Sequence, residues 1–160
     1  EEAVRIMGPY KVGVHLIVGL GETEEQMIAT IQRAHDMGAH THLFSFFAEK
    51  GSLLEGVPQP QWPKYLRVQL ARYLVEYEIS SLGRMSFGNR KEIVDFGIPK
   101  EKILGIVESG IPFMTTGCED EGQVSCNRPF GNCLPGPKQW NYPYRPDREE
   151  IGLIKEALSL

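Results

Sequence analysis

Residues 12–27 read VGVHLIVGLGETEEQM, and this stretch decides the fold of the chain. Its first part, residues 12–18, is a nearly unbroken apolar run rich in β-branched side chains, which is typical of a strand buried on both faces of a parallel sheet. Gly19 and Gly21 follow at once. Because glycine permits backbone angles that a Cβ would block, the pair predicts a tight turn directly after the strand.

A helix is predicted after this turn. Thr23 and Gln26 have the spacing of a capping box, in which each side chain bonds the backbone amide of the other residue. Apolar residues then recur at helical spacing until Gly38, which ends the helix. Glu22 is thereby placed at the carboxyl end of the strand, where α/β folds bind their ligands. On the glycines alone, a βα turn without any ligand is an equally good interpretation, because Gly-x-Gly is a weak signal.

The rest of the chain continues the α/β pattern. Residues 39–47 predict a second strand, so that strand, helix and strand form a right-handed parallel βαβ unit. Residues 57–63 contain three prolines and predict a loop, and residues 64–80 predict an amphipathic helix. Further along we expect a short strand at 84–87, a strand or extended loop at 92–98, a helix at 99–110, an extended segment at 111–116 and a closing helix at 147–160.

Composition and charge narrow the class of protein. The chain has 160 residues, of which 41% are hydrophobic and 24% charged, an ordinary balance for one globular domain. Its net charge of −4 argues against a nucleic-acid partner, and it lacks the run of about 18 apolar residues that a membrane span needs. We therefore expect a cytoplasmic protein with no membrane partner. The opening residues read like sequence from the middle of a protein, so we also expect a fragment.

All three cysteines, Cys118, Cys126 and Cys133, lie close together near the end of the chain. An odd, clustered set is a poor disulfide framework and a better metal site. Residues 118–145 are rich in Pro, Gly, Asn and aromatic side chains and have no helical or strand periodicity, which suits a segment held by a metal cluster. An iron–sulfur cluster, a structural zinc ion and reduced thiols without a metal all remain open.

Residues 15–22, HLIVGLGE, resemble the Ile-x-Gly-x-x-Glu segment of radical S-adenosylmethionine enzymes, with biotin synthase and lipoyl synthase as the nearest in character. In that family the segment lies under the adenine of the cofactor, and the resemblance implies that Glu22 organises the turn. Residues 50–53, KGSL, are similar to the turn after the sixth barrel strand of biotin synthase, a strand end that also touches the cofactor. The resemblance thus assigns to S-adenosylmethionine the residues His15, Ile17, Val18, Gly19, Glu22, Phe47, Ala48 and Glu49.

The end of the chain resembles one subgroup of this family. Cys118, residues 126–130 (CNRPF), residues 135–137 (PGP) and residues 141–143 (NYP) are similar to the carboxyl-terminal motif of biotin-synthase-like radical enzymes. These include the two-subunit lipoyl synthases found mainly in archaea. The resemblance implies an auxiliary iron–sulfur cluster with Cys118 and Cys126 as ligands and Cys133 as a candidate third ligand.

The family hallmark, Cys-x-x-x-Cys-x-x-Cys, is missing from this chain, since no cysteine precedes Cys118. The resemblance therefore implies only the carboxyl-terminal part of a sulfur-inserting enzyme, whose amino-terminal half would carry the radical-generating [4Fe–4S] cluster. It implies a small-molecule or lipoyl- or biotin-type substrate and a second radical subunit as partners. The alternative is a non-catalytic iron–sulfur or zinc-binding module, which would lack affinity for S-adenosylmethionine.

The expected fold class is α/β, made of the later βα units of a partial TIM-type barrel. In this division residues 1–116 form the partial barrel and residues 117–146 form the cysteine-, proline- and aromatic-rich tail with the candidate auxiliary cluster. Residues 147–160 form the closing amphipathic helix.

Overall fold

The computed structural model describes residues 1–116 and 140–160, and in addition the backbone of two short strands at 119–120 and 123–124. The helices are α1 (Glu2–Met7), α2 (Glu24–Asp36), α3 (Trp62–Glu76), α4 (Lys100–Ser109) and α5 (Arg148–Leu158). The strands are β1 (Gly13–Val18), β2 (His40–Ser45), β3 (Ser86–Phe87), β4 (Ile93–Asp95), β5 (Glu119–Asp120) and β6 (Gln123–Val124). The described part is thus a mixed α/β fold in which each sheet has two strands.

The unit β1–α2–β2 has the parallel arrangement that the sequence predicts. β1 pairs with β2 in parallel, in the register Gly13↔His40 to Val18↔Ser45. The capping box at the start of α2 is also confirmed, because Thr23 and Gln26 exchange hydrogen bonds between side chain and backbone amide. Gly38, with φ of 77°, follows the end of α2 and reverses the chain toward β2.

The two faces of this parallel sheet have different surroundings. Val18 and Leu43, on one face, are buried in the main apolar core together with residues of α2 and α3. We call the other face the open face, because its side chains on β1 are exposed and those on β2 are half-buried. The open face carries Gly13, His15 and Ile17 of β1 and His40, His42 and Phe44 of β2.

Helix α3 is the centre of the core. Leu66, Leu70 and Leu74 are completely buried, as the helical spacing predicts. Tyr77, which falls within the predicted helix 64–80, is 63% exposed, because α3 ends at Glu76 and the chain then turns. An ion pair between Arg67 and the buried Glu24 ties α3 to α2. Glu76, which pairs with Arg72 within α3, accepts hydrogen bonds from Thr41 and so ties α3 to β2.

The later elements agree with the sequence except in one segment. β3 and β4 form an antiparallel hairpin, and α4 ends at Gly110, whose φ is 70°. Residues 111–116 were expected to be extended throughout, but Ile111–Phe113 form a 3₁₀ turn. Pro112 fixes a φ that suits such a turn, and only from Met114 onward is the chain extended. α5 begins with a capping box between Asp147 and Glu150, at the predicted start of the closing helix.

No helix within residues 1–116 or 140–160 combines the length and the apolar character that crossing a membrane requires.

Candidate functional site

The turn after β1 is closed by the side chain of Glu22. Its carboxylate accepts hydrogen bonds from the backbone amides of Gly19, at 2.9 Å, and Leu20, at 2.8 Å. Gly19 and Gly21 have φ angles of 111° and 106°, which side chains with a Cβ rarely adopt. Because Glu22 already occupies the two amides, this glycine turn differs from the phosphate cradle of dinucleotide-binding folds, in which free amides point at the ligand.

Two residues, Lys64 in helix α3 and Pro60 in the loop before it, contact this turn. Lys64 donates to the backbone carbonyl of Glu22, at 2.7 Å, and to its carboxylate, at 2.9 Å. Pro60 packs so closely against Gly19 that a Cβ on residue 19 would lie 2.7 Å from Pro60 Cδ. Burial raises the pKa of Glu22, but the hydrogen bonds from Lys64 and from the Gly19 amide lower it by more, so the carboxyl group has a pKa below its ordinary value. The turn is therefore both charged and fixed.

Beside the closed turn lies an apolar surface. Ile17 is 45% exposed and Leu20 is 52% exposed, so both leave aliphatic surface accessible at the end of β1. They line a shallow groove of about 610 Å³ that also includes His15 and Glu22, and Gln26 and other residues of α2 form its other wall. A flat ring with apolar faces fits such a surface. Three of the residues that the sequence assigns to the cofactor, namely His15, Ile17 and Glu22, thus line one groove. A fourth, Gly19, is bonded to Glu22 in the adjoining turn.

The remaining assigned residues are placed differently. Val18 is completely buried on the covered side of the sheet, so only its backbone belongs to the turn. Phe47 and Ala48 are half-buried and Glu49 is exposed just beyond β2. The amide of Phe46 bonds the carbonyl of Val18 at 2.8 Å, so both strands end at the same edge of the sheet. The cofactor residues predicted after β1 and those predicted after β2 therefore lie at the same end of the sheet, the carboxyl-terminal one.

The open face carries a cluster of rings that the sequence did not predict. His15 lies edge-on to His42, with ring centroids 5.2 Å apart, and 5.1 Å from the ring of Phe44. Gly13 leaves room for this arrangement, because a Cβ there would lie 2.8 Å from Nε2 of His42. The alternation of His40 and His42 was visible in the sequence, but the pairing of His15 with His42 depends on the register between two strands, for which the sequence carries no local signal.

His42 also holds the chain that leads to the cysteines. Its Nδ1 lies 2.9 Å from the carbonyl oxygen of Thr116 and 3.1 Å from the Thr116 hydroxyl. A carbonyl oxygen can only accept, so Nδ1 carries the proton and donates it. Burial lowers the pKa of His42 below its ordinary value, and the hydrogen bond to Thr116 acts in the opposite direction. Cys118 follows Thr116 by two residues in the sequence.

The two ends of the segment 117–139 are held close together. Thr115 donates its amide to the carbonyl of Tyr142, at 2.8 Å, and Tyr142 donates its own to the carbonyl of Phe113, at 2.9 Å. Cys118, Cys126 and Cys133 lie outside the described residues, so their predicted role as metal ligands stays a prediction. In the part of the chain that the structure describes, no three His, Cys, Asp or Glu side chains are grouped as a metal would require.

A buried polar network fixes the return of the chain at residues 140–142. Asn141 is 3% exposed and donates to the hydroxyl of Tyr65, at 2.9 Å. Gln69 donates to the Asn141 side chain, at 2.9 Å, and to the carbonyl of Trp140, at 2.8 Å. Tyr65 in turn bonds the carbonyl of Leu43 in β2, at 3.0 Å. The segment that carries the cysteines therefore starts and returns beside β2 and α3.

No family model, no curated protein and no solved structure matches the chain. What bears on function is therefore the geometry of the closed turn and the open face, together with the motifs in the sequence.

Proposed function

We propose that the chain is the carboxyl-terminal part of a radical S-adenosylmethionine enzyme that inserts sulfur, similar to biotin and lipoyl synthases. It supplies later βα units of a partial TIM-type barrel, and its cysteine-bearing segment holds an auxiliary iron–sulfur cluster. The amino-terminal half of the parent enzyme holds the [4Fe–4S] cluster that generates the radical. The substrate is a small molecule or a lipoyl- or biotin-type group.

The contact of Glu22 with the turn carries this proposal. The resemblance assigns to the glutamate of the Ile-x-Gly-x-x-Glu segment the role of organising the turn, and Glu22 bonds both the Gly19 and the Leu20 amides. Ile17 and Leu20, whose apolar side chains are exposed, would supply apolar contacts to the adenine ring. The residues present thus fit the nucleoside part of the cofactor.

The open face supports the barrel part of the proposal. Parallel sheets occur almost only where both faces are covered, because crossover connections place helices on them or a barrel closes around its own interior. Here the sheet β1–β2 is covered on one face by α2 and α3, while His15 and Ile17 remain exposed on the other. In the proposed enzyme this open face is the inside of the barrel, and further strands extend the sheet beyond β1.

The position of Thr116 supports a cysteine-bearing segment that closes over this interior. His42 belongs to the open face, and its hydrogen bond fixes Thr116 there, two residues before Cys118. Thiolates are the ligands that iron–sulfur clusters need, and Arg128, next but one after Cys126 in the sequence, would favour the thiolate form.

Within this mechanism the chain mainly binds and positions. The cofactor, when bound to its cluster, supplies the radical chemistry that functionalises unreactive carbon atoms. Ile17 and Leu20 would offer apolar contact to the adenine and exclude water from it, and Glu22 keeps the turn after β1 in one conformation. His42 holds the start of the cysteine-bearing segment.

Calorimetric titration of the intact parent protein with S-adenosylmethionine tests the proposal, because the cluster that anchors the cofactor belongs to the amino-terminal half. We expect saturable heat for the wild-type protein. The dissociation constant should rise about tenfold or more in Ile17→Ser, since a buried aliphatic contact contributes roughly 1.5–3 kcal/mol. Val94→Ser is the matched control, because Val94 is also an exposed β-branched residue in a strand, 62% accessible, but it belongs to β4 and does not line the groove. Folded, cluster-loaded parent protein that gives no heat would contradict the proposal and favour the non-catalytic metal-binding module.

A further inference from the structure

We propose that Lys64 is a positioning residue for cofactor binding: from the first turn of α3 it holds Glu22 in the place from which Glu22 closes the turn after β1. This inference rests on the proposed function, and it adds a residue that lies 42 positions away from the recognised segment. Nothing in the spacing of HLIVGLGE points to a lysine in a later helix.

The geometry of Lys64 fits this role because it holds both parts of Glu22. One hydrogen bond goes to the backbone carbonyl and the other to carboxylate atom Oε1, the same atom that accepts from the Gly19 amide. The lysine thus fixes the main chain of residue 22 and the direction of its side chain together. Hydrogen bonds between charged groups are about twice as strong as neutral ones, so Lys64 is a main determinant of where the carboxylate lies.

The position of Lys64 is itself well determined. Pro63 stands in the first turn of α3, where its fixed φ suits the start of a helix. Tyr65 and Leu66, which follow Lys64, are completely buried. Because the two residues after Lys64 anchor α3 in the core, the start of the Lys64 side chain has a fixed position relative to the turn.

The arrangement also explains why the turn keeps its charge. The Lys64 ammonium and the two amides compensate the carboxylate, whose side chain is only 18% exposed. Without Lys64, less would oppose the effect of burial and the pKa of Glu22 would rise. A protonated carboxyl group accepts hydrogen bonds from the Gly19 and Leu20 amides less well. The pH dependence of cofactor binding therefore reports on Lys64.

The test compares Lys64→Met, which keeps the length of the side chain but removes its charge, with Lys64→Arg, which keeps the charge. Lys155→Met is the matched control, because Lys155 pairs with Glu108 at 2.6 Å with 28% of its side chain exposed, close to the 23% of Lys64, but on α5. Two quantities are measured for each variant: the hydrogen exchange of the Gly19 and Leu20 amides, and the dissociation constant for S-adenosylmethionine between pH 4 and 7.

In Lys64→Met we expect exchange at both amides to rise about tenfold and the dissociation constant to rise about tenfold, the loss expected for one charge-assisted hydrogen bond. As the pH falls toward 4, the affinity of this variant for the cofactor should begin to decrease at a higher pH than the affinity of the wild type does. Lys64→Arg should restore most of the affinity, and Lys155→Met should change neither quantity.

Unchanged exchange in Lys64→Met would overturn the inference, and so would raised exchange with an unchanged dissociation constant. If the wild-type chain itself does not bind the cofactor, the proposed function fails and the role of Lys64 in binding fails with it. In that case the exchange data still decide whether Lys64 holds the turn, so the two failures are distinguishable.

Discussion

The imidazole of His42 donates a hydrogen bond from Nδ1 to the carbonyl oxygen of Thr116, at 2.9 Å, and so joins the second strand of the parallel sheet to the start of the cysteine-bearing segment. The two residues are 74 positions apart in the sequence. The contact places a titrating group between the candidate cofactor surface and the candidate cluster segment, and its protonation state has a measurable consequence for stability.

We expect the free energy of unfolding to decrease as the pH falls below about 6.5, the ordinary pKa of histidine. The pKa of His42 in the folded protein is lower than in the unfolded chain, so below 6.5 the unfolded chain binds more protons and becomes relatively more stable. The stabilisation is complete above 6.5 and is lost as the pH falls through the folded pKa. Urea denaturation at several pH values measures it.

The charges around His42 define the control for this experiment. His15 and Arg72 disfavour its protonated form and Glu76 favours it, and all three are retained in His42→Phe. In this variant the decrease between pH 6.5 and 5 should become smaller, whereas His40→Phe, which leaves His42 in place, should keep it. An equal decrease in all three proteins would show that His42 is not its source.

Tyr65→Phe should destabilise the fold by about 1–3 kcal/mol, because buried partners lose a hydrogen bond without gaining water. The hydroxyl of Tyr65 bonds Asn141 and the carbonyl of Leu43, and all three residues are buried. Tyr77→Phe removes the same hydroxyl from a side chain that is 63% exposed and should change the stability by less than about 0.5 kcal/mol. Equal losses in the two variants, measured by urea denaturation, would contradict the role of this network.

Gly19→Ala and Gly21→Ala separate backbone strain from close packing at the turn. Both glycines have positive φ, so each alanine should destabilise the fold by roughly 1–3 kcal/mol. Only residue 19 meets a neighbour, since its Cβ would lie 2.7 Å from Pro60 and 3.2 Å from Phe46, whereas residue 21 has open space. Gly19→Ala should therefore cost about 1–3 kcal/mol more than Gly21→Ala. Thermal unfolding measures the difference, and equal losses would argue against a close approach of Pro60.

The sequence predicted the elements whose signals are local. The capping box at Thr23 and the glycine turn each depend on residues within one or two turns of each other, and the structure contains both. The parallel pairing of β1 with β2 was predicted from the order strand, helix, strand along the chain. The 3₁₀ turn at Ile111–Phe113 was missed because the apolar run there has no period that distinguishes it from an extended segment.

The hydrogen bonds between residues far apart in the sequence could not be predicted from local signals. Lys64 reaches Glu22, Asn141 reaches Tyr65 and His42 reaches Thr116 across 42, 76 and 74 positions respectively. Such pairs depend on how helices and strands are arranged around the core, and a single sequence carries no periodic signal for them. The motif in residues 15–22 therefore indicated where the site lies, while the structure identifies which distant side chains hold it.

The most direct test of the central claim is the content of iron and acid-labile sulfide per chain after anaerobic reconstitution, in the wild type and in Cys126→Ser. Ser125→Ala, a change at the neighbouring residue, serves as the control, and circular dichroism verifies that each protein is folded. We expect about four iron and four sulfide per wild-type and Ser125→Ala chain, as in a [4Fe–4S] cluster, and their loss in Cys126→Ser. A folded wild-type chain that takes up no iron would contradict the proposed auxiliary cluster.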